Sequence, residues 1–193
     1  MKERRTFEIR STQIDEDFDR DKYVGIVEGY ALKFNNPASY YYTEIIDRNA
    51  LNKTDMKDTV LRYNHSEDSF SVARTRNRSM ELTVDEIGLK VRAKIINTQY
   101  GRDLYRMIQE GLVDQMSFAF TVAENGDSWD NETKTRRILD IEKLYDVSAV
   151  DQPFYEDTVI VARSLKSFED EYEEKRKLEL EKEKMLFELE LLK

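Results

Sequence analysis

Midway along the chain, Met116, Phe118, Phe120 and Val122 alternate with Gln115, Ser117, Ala119 and Thr121. A repeat of two marks a strand with one apolar face, so this stretch predicts a half-buried strand with Ser117 opposite its large side chains. Comparable patterns predict strands over 5–12, 23–34, 40–46, 60–63, 71–74, 80–84, 88–96 and 158–162. Gly25 and Gly29 predict a bend or a close backbone approach in the second of these. The polar run 124–132 predicts a hairpin tip, and 135–150, rich in Ile, Leu and Val, one continuous return strand.

Three segments carry a helical pattern instead. Asp47 can cap a helix from about Arg48 through Met56 and Val60, with Ala50, Leu51 and Met56 inward. Residues 100–111 place Leu104, Met107 and Ile108 on one face, and Gly111 suits a helix C-terminus. From Ser164 to Lys193 there is no Gly or Pro, and Glu, Lys and Leu dominate, which predicts a long charged helix. Its apolar stripe is interrupted at Lys175 and Lys182, so a solvated helix and a partner-binding segment fit it equally. The expected organisation is one mainly β (α+β) domain over 1–163 and a helical segment over 164–193, a length of 193 residues being enough for one sizeable core.

Composition removes several chemistries. With no cysteine, neither a disulfide framework nor thiolate catalysis is available. A net charge of −9, from 31 basic and 40 acidic residues, argues against nucleic acid or an anionic membrane as partner. The apolar runs are short and Met1-Lys2-Glu3-Arg4-Arg5 leads into no apolar segment, so no membrane span or anchor is expected. The six glycines are scattered singly, with no phosphate-cradling loop. Glu67-Asp68 and Asp151 have no EF-hand spacing, and one histidine without cysteine makes a poor transition-metal set, so neither metal nor cofactor is expected. Acidic residues are too abundant for any carboxylate pair to single out a glycosidase.

Acyl transfer is left. A nucleophilic serine needs an imidazole to accept its proton, and the imidazole works best when a third group fixes its tautomer. His65, the only histidine, lies just past the strand 60–63, on a rigid support for chemistry. Ser117 is the candidate nucleophile, although a strand also tolerates an inert serine on its less apolar face. The segment 141–148 offers Glu142 and Asp146 as third groups; Asp146, flanked by Leu144 and Val147, is the one expected to be buried, and a buried carboxylate needs a partner. The order His, Ser, Asp matches none of the familiar hydrolases, but such triads are defined by geometry.

Five segments, in order, resemble the prohead (capsid-maturation) serine proteases of tailed bacteriophages, relatives of the herpesvirus assemblins: Val27-Glu28-Gly29-Tyr30-Ala31 with Phe34; 44–50; 61–65 with Asn64-His65; Gly111-Leu112-Val113 leading to Met116-Ser117-Phe118-Ala119-Phe120; and Leu144-Tyr145-Asp146-Val147-Ser148-Ala149-Val150 before Pro153. The resemblance implies a small, mostly antiparallel β-barrel with flanking helices. It further implies a serine endopeptidase with His65 as general base, Ser117 as nucleophile and Asp146 in the third role. Assemblins use a second histidine there, which this chain lacks, leaving Asp146, Glu142 or a dyad. Scaffold and major capsid proteins, and the protease itself, are the substrates the resemblance implies, with self-association as a further expectation. It places the activity inside the assembling prohead in the host cytoplasm. Arg74, Arg136, Arg137 or a backbone N–H pair are the candidates for the oxyanion hole. The competing reading is a non-catalytic β-barrel assembly module that binds partners through its C-terminal helix.

Overall fold

Leu89, Val91, Ala93 and Ile95 are fully buried at every second position of one strand, and they set the centre of the core. The structure, a computed structural model, describes residues 9–11, 18–39, 42–151 and the positions 177, 181, 182 and 185. The chain divides into two units, Met1–Phe154 and Tyr155–Lys193. The described elements, all in the first unit, are β1 (Ile9–Ser11), β2 (Tyr23–Lys33), β3 (Ala38–Ser39), β4 (Thr43–Ile46), β5 (Val60–Tyr63), β6 (Ala73–Arg74), β7 (Met80–Val84), β8 (Gly88–Ile96), α1 (Gln99–Gln109), β9 (Gln115–Val122), β10 (Asp127–Asp130), β11 (Thr135–Ile138) and β12 (Ile141–Val150).

The strands form three four-stranded sheets, ordered β1-β2-β8-β7, β10-β11-β4-β3 and β6-β5-β12-β9. Pairing is antiparallel except for β5 with β12 and β4 with β11, which are parallel. The mainly β expectation fits; the barrel does not, because the three sheets are separate and none closes on itself. The expected return strand 135–150 is not continuous: it breaks at Leu139-Asp140 into β11 and β12, in different sheets. There the backbone N–H groups of Leu139 and Asp140 both donate to the carbonyl of Gly126, at 2.7 and 2.9 Å. The turn closes so tightly that a Cβ on Gly126 would stand 2.5 Å from the Asp140 carbonyl oxygen. Gly126→Ala will therefore cost about 1–3 kcal/mol, the usual range for overpacking against atoms that cannot yield, as read by chemical denaturation.

The flanking helices also need correction: α1 is the one helical element among the described residues. The segment after Asp47 has its core residues where expected, with Ala50 and Leu51 buried, but it forms successive four-residue turns. Ala50, Asn52 and Thr54 donate their N–H groups to Asp47, Asn49 and Leu51 carbonyls. Side chains of Asp47, Asn49, Thr54 and Asp55 bond to nearby groups and compete with helical pairing. Helix α1 follows its pattern: the Thr98 side chain caps Gly101 N–H, Leu104, Tyr105 and Ile108 are buried, and Gly111 takes the positive φ (70°) of a helix-terminating residue. No long C-terminal helix stands among the elements. The segment 164–193 lies outside the described residues apart from four helical, exposed positions, Lys177, Glu181, Lys182 and Met185. The expected strand 158–162 lies outside them too.

Candidate active site

Strand β12 is an inner strand of its sheet, and residues 146–150 are all buried. Such a strand must satisfy every polar group it carries from within, and it carries Asp146 and Ser148. These two lie two residues apart and so on the same face. Parallel pairing puts the C-terminal end of β5 beside them, with Arg62 opposite Ser148. Antiparallel pairing puts the early part of β9 there from the other side, with Ser117 opposite Ser148 and Ala119 opposite Asp146. Arg62, Ser148 and Ser117 therefore form one row across three strands. Directly opposed residues share a face with Cβ atoms about 4.5–5.5 Å apart, so Ser117 projects beside Ser148.

His65 enters through the turn that ends β5. Asn64 and His65 both have positive φ, 50° and 53°, and Ser66 N–H donates to the Tyr63 carbonyl at 3.1 Å, the pattern of a type I′ turn. Left-handed backbone costs about 1–2 kcal/mol for a residue with a Cβ, so the surroundings must hold it. They do so from several directions. Asn64 donates from its backbone to the Ala149 carbonyl at 3.0 Å and from its amide to Asp151 at 3.0 Å. The Tyr63 hydroxyl donates to the other oxygen of Asp151 at 2.7 Å, and the Arg62 guanidinium reaches the Ser66 carbonyl at 3.4 Å.

The result is a compact network around one oxygen. His65 Nδ1 lies 2.6 Å from Asp146 Oδ1; the Ser148 hydroxyl donates to that same oxygen at 2.8 Å and accepts the His65 backbone N–H at 3.1 Å. An ionised Asp146 takes the imidazole Nδ1–H and leaves Nε2 as the basic nitrogen. The side chain of His65 is one-third exposed (33%) while that of Asp146 is nearly covered (11%), so the ring can meet a substrate and the carboxylate cannot. Ser117 is half-buried and Ser148 fully buried, which leaves Ser117 as the serine of the row within reach of a ligand.

A family model described as caudovirus prohead serine protease matches residues 8–171. The chain belongs to that family. No curated protein and no solved structure matches it. His65 and Asp146 are in contact, and Ser117 lies opposite Ser148 on the adjoining strand. Glu142 is exposed, and its carboxylate accepts a hydrogen bond from the Thr121 hydroxyl at 3.5 Å. Of the arginines, Arg74 is engaged with both oxygens of Asp58, Arg136 with Asp127 and Glu44, and Arg137 with Asp47 at 3.6 Å. Arg136 and Arg137 also belong to the β10-β11-β4-β3 sheet, not to that of Ser117. The arginine in the row is Arg62, which the sequence did not mark. Ser148 was equally unmarked as a site residue, although its spacing from Asp146 is the same-face spacing of a strand.

The Asp151 carboxylate raises the Tyr63 phenol to about 12, chiefly by accepting its hydrogen bond. Because the folded value lies above the ordinary 10.0, this contact contributes stability in full below about pH 10 and loses it as pH rises towards 12. Tyr63→Phe will remove that alkaline loss, so wild type and variant will converge in stability above pH 10, as followed by thermal melts across the range.

Proposed function

We propose that this protein is the serine endopeptidase of phage head maturation. It cuts scaffold and major capsid proteins, and its own chain, inside the assembling prohead in the host cytoplasm. In this reading Ser117 Oγ attacks the scissile carbonyl and His65 Nε2 takes its proton, then returns it to the leaving amine. Asp146 holds the imidazole by Nδ1–H and stabilises its positive charge. Family membership supports the protease class. The observation that carries the residue assignment is the 2.6 Å His65–Asp146 contact on a strand whose next same-face position lies opposite Ser117.

Residues 1–163 are the protease domain of this proposal, and 164–193 a docking or processing segment. Confinement in a particle holds protease and substrate at high effective concentration, so weak recognition suffices. Co-expression with the scaffold and capsid proteins of the same phage tests the proposal. Wild type will shorten both, and itself, by discrete fragments visible by mass spectrometry; His65→Ala will leave all three at full length. Fragments persisting in the His65→Ala sample would refute the assignment.

A further inference from the structure

Ser148 stands where a serine is costly unless it has work to do. It is wholly buried at the centre of the sheet, a place where alanine would fit with one atom fewer and no hydroxyl to satisfy. The flanking strand positions, Val147 and Ala149, are apolar and fully buried. Its single hydroxyl is used in both directions: it accepts from the backbone N–H of His65 at 3.1 Å and donates to Asp146 Oδ1 at 2.8 Å. One oxygen therefore ties the main chain of the base to the carboxylate that grips its ring.

Geometry makes this link more than packing. His65 is attached through left-handed backbone at the end of a strand, and nothing in the covalent chain connects it to Asp146. The backbone bond to Ser148 fixes where the histidine begins, and the ring bond to Asp146 fixes where it points. The bond from Ser148 to Asp146 fixes the two relative to each other. Ser117 lies opposite Ser148 in the register, so the residue that spans base and carboxylate is also the neighbour of the nucleophile. Ser148 cannot itself be the nucleophile: its hydroxyl proton is committed to Asp146 and no substrate reaches a side chain with no exposed surface.

We infer that Ser148 is a positioning residue, the fourth member of a Ser117–His65–Asp146–Ser148 network, which sets the imidazole at the height and angle that proton transfer from Ser117 requires. This inference rests on the proposed roles of Ser117, His65 and Asp146. Outer hydrogen-bond partners that orient a metal-bound histidine are worth roughly 10–100-fold in activity, and a loss of that order is expected here.

The test compares Ser148→Ala, Ser148→Cys and Ser148→Thr in the full chain. The readout is the rate of covalent labelling by a fluorophosphonate probe, separated into its maximal rate and its half-saturating concentration. A packing role predicts that Ala is harmless and that Thr, with an added methyl in a filled space, is worse. Positioning predicts the reverse order. Ser148→Ala will lower the maximal rate roughly 10–100-fold with the half-saturating concentration unchanged. Ser148→Cys, a weak donor of near-native size, will be slow as well, and Ser148→Thr will recover most of the rate because it restores the hydroxyl. Because His65 is the only histidine, its ring protons can be followed by NMR without ambiguity. The low-field Nδ1–H signal will be present in wild type and Ser148→Thr and lost or exchange-broadened in Ser148→Ala. Should the Ala variant not fold, the Cys and Thr pair decides alone. Labelling of Ser148→Ala and Ser148→Cys at the wild-type rate, or Thr slower than Ala, would overturn the inference. Labelling of a Ser117→Ala control would instead overturn the catalytic assignment beneath it.

Discussion

Asp146→Asn will lower peptide-bond hydrolysis by about 10⁴-fold with little change in fold stability or substrate binding. The size follows from what the carboxylate does at this site. In the proposed mechanism it accepts the Nδ1–H hydrogen bond of His65 at 2.6 Å, so Nε2 is the nitrogen left to receive the proton of Ser117. A neutral amide can offer its N–H in place of an acceptor, which reverses the ring tautomer, and it cannot stabilise the imidazolium formed during attack. The amide keeps the shape of the carboxylate, so the fold is retained. Glu142→Gln provides the control on the same strand. Its carboxylate is exposed and makes only a marginal contact with Thr121, so activity will stay at the wild-type level. A larger loss in the Glu142 variant than in the Asp146 variant would mean that the orienting group has been misassigned.

Ser117→Ala will have the largest effect, a loss of roughly 10⁶-fold in turnover, the scale on which removal of a single nucleophile matches removal of the whole triad. The substitution deletes one oxygen from a half-buried position of β9, so the melting temperature will move little. Because the network acts as a unit, Ser117→Ala combined with Asp146→Asn will be no slower than Ser117→Ala alone. Additive losses in the double variant would show that the two side chains serve separate steps.

The parts of this molecule that were legible in the sequence are those in which one short pattern has one physical outcome. Alternation over 115–122 gave β9 and the face of Ser117. The periodic Leu104, Met107 and Ile108, with Thr98 before and Gly111 after, gave α1. A chain without cysteine and with a single histidine narrowed the chemistry to very few side chains. Burial of Asp146 was readable from its apolar neighbours, and the structure finds it 8% exposed.

What escaped was decided at longer range. The helix after Asp47 was drawn by cap and apolar spacing, but the side chains of Asp47, Thr54 and Asp55 each hydrogen-bond a backbone group and favour turns. The run 135–150 carries no internal break signal. The break falls where Leu139 and Asp140 both donate to the Gly126 carbonyl across the β10-β11 hairpin, a contact that a reading of 135–150 alone does not show. β11 and β12 lie in different sheets. Ser148 went unmarked for a related reason: a serine in a run of Val and Ala looks tolerated until the parallel pairing of β5 with β12 brings His65 to it.

The pairing of one imidazole with one hydroxyl is most directly tested by reacting the intact protein with a fluorophosphonate and mapping the adduct by tandem mass spectrometry. The adduct will lie on Ser117 alone, and it will not form in His65→Ala. An adduct on another serine, or labelling of Ser117 that persists unchanged without His65, would contradict this assignment.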